Sequence, residues 1–194
     1  MNNKYLFQEL LKHRILVLEG KITEMDPDII IPHLLFLDEK SHDDITLCID
    51  SHGGSVRAGF AIIDTMNFIK SDVRTVCINE AESMAAVILA SGAKGKRYSF
   101  KDADIMIHQI STPEINVTEQ NVDIQYKDMQ RTEKQLYEIL CKATHKTYAG
   151  ISKLCEKDYW MTAEQAKKLG IIDEIVTDMT PFLCETSVKE KEEK

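Results

Sequence analysis

Short apolar runs alternate with stretches of helical periodicity along this chain of 194 residues. Five runs have the length and composition of buried strands: ILVLEG (15–20), ITLCID (45–50), VRTVCI (73–78), DIMIHQ (104–109) and IIDEIV (171–176). The segment MAAVILA (84–90) is apolar on all sides, as expected for a helix at the centre of a domain. Strands that alternate with helices predict an α/β domain of repeated strand and helix units.

Five further segments are predicted to be helices: 4–13, 26–37, the stretch that begins at Val56, 119–146 and AEQAKKL (163–169). Apolar residues of the third segment recur at helical spacing: Val56, Phe60, Ile63 and Met66. The fourth segment carries an apolar stripe: Val122, Tyr126, Met129, Leu136, Leu140 and Ala143. Pro27 lies in the first turn of the second segment, where a missing N–H costs nothing, whereas Pro32 is expected to kink that helix. The last segment follows Thr162 and contains Gln165, which together can form a capping box, and Gly170 closes it.

The chain has the size of one domain, which we place at residues 1–178, followed by a charged tail at 179–194 that is predicted to be disordered. The net charge of -8 repels phosphate backbones and anionic headgroups, which argues against nucleic-acid and membrane-surface binding. No apolar run approaches membrane-spanning length, and the N-terminus lacks the unbroken apolar core of a signal peptide. A cytoplasmic protein is therefore expected.

The cysteines are odd in number, widely spaced and contain no C-x-x-C pair: Cys48, Cys77, Cys141, Cys155 and Cys184. This pattern argues against a disulfide framework and against a zinc site. It is typical of a protein in a reducing compartment, and no metal ion or cofactor is expected.

Ser83 stands where a strand is predicted to end and the apolar helix to begin. Serine is a preferred helix N-cap, which is the simpler interpretation. A serine at this place also has the free N–H groups of the first helical turn beside it, and these can stabilise an oxyanion. Met84 N–H is one candidate donor. Gly54, in a predicted strand-to-helix turn that also contains Gly53, offers a second.

His108 ends a strand that otherwise has the composition of core. Such a histidine is usually a hydrogen-bonded structural residue, but its ordinary pKa of about 6.5 also suits it to accept a serine proton. Asp158, in the segment KDYWM, can equally be an exposed loop carboxylate. Neither residue alone predicts catalysis.

Taken together and in this order, these segments resemble the Clp protease proteolytic subunit (ClpP) family. SHGGSVRAGFAIIDTMNFIKSDVRTVCINEAESMAAVILASGAKGKRY (51–98) is similar to the family's glycine turn, helix, strand and nucleophile segment. IMIHQ (105–109) resembles its histidine strand, and KDYWMTAEQAKKLGIIDEIV (157–176) resembles its aspartate segment with the closing helix and strand. The resemblance covers roughly residues 5–178.

The resemblance implies that Ser83 is the nucleophile, His108 the general base and Asp158 the residue that orients the histidine. Gly54 and Met84 match the oxyanion-hole amides. The implied activity is that of a serine endopeptidase, which hydrolyses peptides or unfolded proteins through an acyl-enzyme without a metal or cofactor in the hydrolytic site.

The family also implies a fold and an assembly. The fold is the crotonase/ClpP-like α/β fold, with repeated strand-strand-helix units and a protruding handle helix. The assembly is a homo-oligomer of heptameric rings stacked as a tetradecamer that encloses the sites, and the partner is a Clp-type AAA+ ATPase.

Several residues depart from the family pattern. His52 replaces the proline of the glycine turn and is expected to be a turn residue, while Ala85 replaces a glycine after the Ser-Met pair and is expected to narrow the site. Thr46 and Cys48 stand where the family carries tyrosines of the ATPase docking cleft, so that Phe68 is left as an aromatic contact there.

The segment HQISTPEINVTEQNVD (108–123) lacks the proline and the glycine-rich strand that follow the histidine in the family. The resemblance therefore does not extend to the segment that sets ring pairing and substrate pairing in the family. The chain also starts almost directly at its first helix, without the family's axial hairpin. These departures predict a protein that keeps catalysis but couples weakly, or in an altered way, to an ATPase.

Two other functions compete with this interpretation. One is a non-catalytic or regulatory subunit of a mixed Clp ring, against which the complete Ser83, His108 and Asp158 set argues. The other is a crotonase-type acyl-CoA enzyme, which shares the fold and a paired-amide oxyanion hole but does not require these three residues. Coenzyme A binding distinguishes the acyl-CoA enzyme from both the peptidase and the non-catalytic subunit.

Overall fold

The computed structural model describes residues 3–110 and 122–178 together with Phe182. The elements follow one another in this order: α1 (Asn3–Lys12), β1 (Ile15–Ile22), α2 (Asp26–Lys40), β2 (Ile45–Gly54), α3 (Val56–Phe68), β3 (Val73–Glu82), α4 (Met84–Ala90), β4 (Arg97–Phe100), β5 (Asp104–Ile107), α5 (Val122–Thr144), α6 (Tyr148–Cys155), β6 (Tyr159–Met161), α7 (Ala163–Leu169) and β7 (Glu174–Val176). The predicted α/β class is confirmed.

The described strands form one mostly parallel sheet. Its main path runs β1-β2-β3-β4-β7, with every neighbouring pair parallel. The carboxyl end of β3 leaves this path and pairs in parallel with β5, which in turn pairs antiparallel with β6. The carboxyl ends of β2, β3 and β5 therefore meet at one edge of the sheet.

Helix α4 lies at the centre of the domain, as its composition predicts. All seven of its residues are buried, and it contacts β2, β3 and α5. Gly59 of α3 lets that helix approach closely, because a Cβ at this position would lie 2.9 Å from the Met84 sulfur. The helix that carries the first residues after Ser83 is thus held on several sides.

The predicted helix ends are largely confirmed. Thr162 and Gln165 make both hydrogen bonds of the capping box, and Gly170 ends α7 with φ 96°. Helix α2 begins with its proline in the first turn and continues through Pro32 to Lys40. Helix α5 is observed from Val122 to Thr144. The predicted start of this helix at 119, the glycine-free segment 111–121 and most of the predicted tail lie outside the described residues.

Several strand predictions were wrong in extent. The predicted turn at the glycine pair is instead the end of β2, because parallel pairing with β1 continues as far as Ile22 and Gly54. In the run IIDEIV only Glu174–Val176 forms a strand. Ile171 and Ile172 precede this strand and are buried in the core. The short elements β4, α6 and β6 were not predicted.

A buried ion pair joins β4 to the turn that precedes β7. Arg97 is 6 % exposed, and its Nη2 donates to Asp173 Oδ1 at 2.6 Å while its Nε donates to Oδ2 at 2.9 Å. The same guanidinium donates to the Gly170 carbonyl at 2.7 Å. Burial raises the pKa of Asp173, but the hydrogen bonds from Arg97 outweigh it and hold the pKa below its ordinary value of 3.8.

We expect Asp173→Asn to lower the free energy of unfolding by about 3 to 5 kcal/mol at pH 7, because it leaves Arg97 buried without its counter-charge. A folded-state pKa below 3.8 means that this stabilisation is present above pH 3.8 and is lost as the pH falls below it. Urea unfolding at pH 7, 4 and 3 should therefore show a shrinking gap between the two proteins. A gap that stays constant with pH would contradict this account, and Asp64→Asn, at an exposed position, is the control.

Candidate active site

Ser83 lies between the end of β3 and the start of α4. Its backbone has φ 54° and ψ -121°, a conformation that costs a non-glycine residue about 1 to 3 kcal/mol. The residue occupies the N-cap position, but its side chain makes no capping hydrogen bond. The Ser83 N–H donates instead to the Met106 carbonyl at 2.8 Å, which ties this sharp turn to β5. The hydroxyl is thus left for another partner.

That partner is His108. Its Nε2 lies 2.9 Å from Ser83 Oγ, and its Nδ1 lies 3.0 Å from Asp158 Oδ1. An ionised carboxylate can only accept hydrogen bonds, so Nδ1 carries the proton and Nε2 is the acceptor for the serine hydroxyl. The imidazole side chain is 22 % exposed, whereas that of Asp158 is 62 % exposed. Asp158 is therefore an exposed carboxylate that also contacts the histidine.

Strand pairing brings the last two residues together. His108 follows β5 and Asp158 precedes β6, and the antiparallel register pairs Ile107 with Tyr159 at this end of both strands. A further hydrogen bond, 2.7 Å from the Gln109 N–H to a carbonyl at the end of α6, holds the chain just after the histidine. Three separate elements thus converge on one hydrogen-bonded line.

The two glycines at the end of β2 lie directly against the nucleophile. Gly53 has φ 85°, and a Cβ there would lie 2.6 Å from the Glu82 carbonyl oxygen and 2.9 Å from Ser83 Cβ. Gly54 has φ 149°, and its Cβ would lie 2.9 Å from the backbone nitrogen of Ile22. Only glycine fits at either position without displacing backbone.

Both predicted oxyanion donors border the same small cleft as the serine. Gly54, Met84, Ser83 and His108 all line it. The Met84 N–H belongs to the first turn of α4, where no intrahelical acceptor exists, so it can serve a ligand. The structure therefore brings all five predicted site residues to one place.

The cleft itself is small, with a volume of about 50 Å³. Most of its remaining wall is apolar and comes from α3, α4, α5 and the end of β5: Val56, Val87, Ile107, Gln109, Ile110, Leu136, Tyr137 and Leu140. Two of these residues, Leu136 and Leu140, belong to the predicted apolar stripe of α5. Tyr137 lies beside that stripe and was not predicted as a site residue.

Glu82, directly before Ser83, lies among other acidic side chains. Burial raises the pKa of the Glu82 carboxyl, and the carboxylates of Glu80, Asp104 and Asp158 raise it further. Glu82 was not predicted as a site residue, because a polar residue at the end of a strand gives no signal of function.

Two residues that depart from the family pattern have clear surroundings. His52 was expected to be a turn residue but lies within β2, because the strand continues as far as Gly54. Its side chain is about half exposed, and its Nδ1 lies 3.8 Å from a Glu80 carboxylate oxygen. Ala85 is fully buried in the core and does not line the cleft. The prediction that Ala85 narrows the site was therefore wrong for this cleft, because α4 directs that side chain inward.

The residues that match the ATPase docking cleft differ widely in exposure. Thr46 and Cys48 are buried, at 1 % and 2 %, whereas Phe68 is 80 % exposed. Of these three residues, Phe68 alone presents its side chain to solvent.

A larger cavity of about 470 Å³ lies near the amino end of β3 and the last turns of α3, α4 and α5. Its ionisable lining residues include Asp72, Lys94 and Lys142. The hydroxyls of its two serines, Ser71 and Ser91, donate to the Asp38 carboxylate and to the Val87 carbonyl rather than to a histidine, so the chemistry is assigned to the smaller cleft.

Within the described residues no group of three or more His, Cys, Asp or Glu side chains could hold a metal ion. No described helix is both long enough and apolar enough to cross a membrane.

Comparison with known families agrees with the fold and with the resemblance. A family model described as Clp protease matches residues 1–179, which is all of the chain except residues 180–194. The mostly parallel sheet with helices packed around it is consistent with a ClpP-like fold. The chain belongs to the Clp protease family.

Proposed function

We propose that this protein is a serine endopeptidase in which Ser83 is the nucleophile, His108 the general base and Asp158 the residue that orients the histidine. Membership of the Clp protease family implies a peptidase. The observation that carries the finer proposal is the unbroken line of contacts, 2.9 Å from Ser83 Oγ to His108 Nε2 and 3.0 Å from His108 Nδ1 to Asp158. Such a line is the arrangement that activates a serine hydroxyl.

The reaction follows from this arrangement. His108 Nε2 takes the hydroxyl proton as Ser83 Oγ attacks the carbonyl carbon of the scissile peptide bond. The N–H groups of Gly54 and Met84 stabilise the negative charge that develops on the carbonyl oxygen. His108 then gives the proton to the leaving amine, which yields the acyl-enzyme. Water, deprotonated by the same imidazole, hydrolyses the ester and frees Ser83.

The assembly is proposed on the same basis. Clp proteases generally form oligomeric rings. For this chain we propose heptameric rings, stacked in pairs, in which residues 1–178 form the peptidase domain and 179–194 a charged tail. Unfolded proteins or peptides in the cytoplasm are the proposed substrates. Coupling to a Clp-type ATPase is expected to be weak, since Thr46 and Cys48 are buried and offer no aromatic contact.

The test is covalent labelling of the serine. We expect a fluorophosphonate probe to add one label to the assembled wild-type protein, measured as a shift in intact mass, and to add none to Ser83→Ala. Ser91→Ala is a matched control at the other end of α4, where the hydroxyl donates to the Val87 carbonyl, and it should label like the wild type.

Absence of label from a folded, ring-forming wild-type protein would contradict the proposal. That result would favour the non-catalytic subunit of a mixed Clp ring. Circular dichroism and mass photometry on the same sample establish that folding and assembly are intact.

A further inference from the structure

We propose that Tyr137 closes the cleft beside Ser83, so that the enzyme cleaves after residues with short aliphatic side chains and discriminates against aromatic ones. This inference rests on the proposed function of Ser83, since it concerns the side chain of the residue whose carbonyl that serine attacks.

The chemistry of the cleft indicates an uncharged, apolar group. Beyond the nucleophile and His108, its wall is formed mostly by aliphatic side chains from α4 and α5, among them Val87, Leu136 and Leu140. No Asp, Glu, Lys or Arg of the described residues lines it. A charged side chain placed there would lose its hydration without gaining an ion pair, which is costly.

The size of the cleft limits that group. Its volume is about 50 Å³. One water molecule needs about 10 to 15 Å³ of such space, so the cleft has room for about three to five groups of this size. A valine or leucine side chain fits within that limit, whereas a phenyl ring exceeds it.

Tyr137 forms a wall that is held from behind. The residue is only 3 % exposed, and its hydroxyl donates to a Glu133 carboxylate oxygen at 3.2 Å. Its ring packs edge-on against Tyr148, with 5.5 Å between the ring centroids. Rotating Tyr137 out of the cleft would break both contacts, so a larger substrate side chain cannot displace it cheaply.

Removing this ring should therefore enlarge the cleft. Tyr137 lines the cleft and its ring also packs against Tyr148, and no other described aromatic residue lines the cleft. The Tyr137 hydroxyl donates to Glu133, which does not line the cleft. The ring of Tyr137 rather than its hydroxyl therefore sets the size limit.

The test uses peptidyl diphenyl phosphonates, in which Ser83 Oγ attacks phosphorus and phenoxide leaves. Probes that carry the side chain of valine, leucine or phenylalanine report the preference of the cleft without requiring turnover. We expect the full-length wild-type protein to react with the leucine probe at least about 10-fold faster than with the phenylalanine probe. Tyr137→Ala should reduce this ratio at least about 10-fold, mainly by faster reaction with the phenylalanine probe.

Matched variants separate the ring from its hydroxyl and guard against misfolding. Tyr137→Phe keeps the ring and should keep the wild-type preference, while Tyr137→Leu shortens the side chain but stays apolar and should relax the preference if Tyr137→Ala does not fold. Equal wild-type rates with the leucine and phenylalanine probes would overturn the inference, as would an unchanged ratio in both shortened variants.

A small fluorophosphonate without a side chain separates this inference from the proposed function. If it fails to label the wild-type protein, the nucleophile itself is wrongly assigned. If it labels the wild type and the shortened variants equally while the phosphonates show no preference, Ser83 is active and only the role of Tyr137 is wrong.

Discussion

His108→Ala is expected to slow the reaction of Ser83 with a fluorophosphonate by at least about 10⁴-fold, because the hydroxyl then has no base to take its proton. In the wild-type protein Nε2 lies 2.9 Å from Ser83 Oγ, within hydrogen-bond reach. The second-order rate constant of labelling, followed by intact mass, measures the effect without knowledge of the natural substrate.

His42→Ala is the control for this experiment. His42 also contacts a carboxylate through Nδ1, at 3.2 Å from Asp38, but it lies in the α2–β2 connection, at the opposite edge of the sheet from Ser83. We expect its labelling rate to match that of the wild type. Labelling of His108→Ala at a rate within about 10-fold of the wild type would mean that Ser83 is activated by some other group.

The parts of the fold that could be predicted are those fixed by local sequence. The apolar run of α4 demands burial whatever its surroundings, and the capping box of Thr162 and Gln165 is formed by residues three positions apart. The turn at Gly53 and Gly54 was misjudged because glycine pairs usually make turns. Pairing with β1, which is remote in sequence, extends the strand through them.

Strand β6 illustrates what local sequence could not supply. Tyr159 and Trp160 are exposed, at 36 % and 52 %, so they give no pattern of burial from which a strand could be inferred. The strand exists because it pairs with β5. That pairing also holds Asp158 beside His108, so the missed strand is the element that completes the hydrogen-bonded line.

The candidate site divides in the same way. Motif order and the family resemblance predicted Ser83, His108 and Asp158 as site residues. Their contacts form once the strands are paired. Tyr137 carries no motif and lies off the predicted stripe of α5. Its place in the cleft depends on how α5 packs against α4, which is a matter of tertiary structure.

Gly53→Ala is expected to lower the rate of peptide hydrolysis by about 10² to 10³-fold, the loss associated with one oxyanion donor. The added Cβ would lie 2.6 Å from the Glu82 carbonyl and 2.9 Å from Ser83 Cβ, so the end of β2 or the nucleophile turn must move. Either movement displaces the Gly54 and Met84 amides relative to the serine. The value of kcat/KM for a short fluorogenic peptide with leucine before the cleaved bond measures the loss.

Gly95→Ala separates this displacement from backbone strain. Gly95 has φ 81°, close to the 85° of Gly53, but a Cβ there meets nothing within 4 Å. Both variants therefore carry a similar conformational cost of about 1 to 2 kcal/mol in thermal or urea unfolding, whereas only Gly53→Ala adds a collision beside the nucleophile. If Gly53→Ala keeps the kcat/KM of Gly95→Ala, the amides at the end of β2 do not stabilise the oxyanion, and the donors must be sought among the N–H groups of α4 alone.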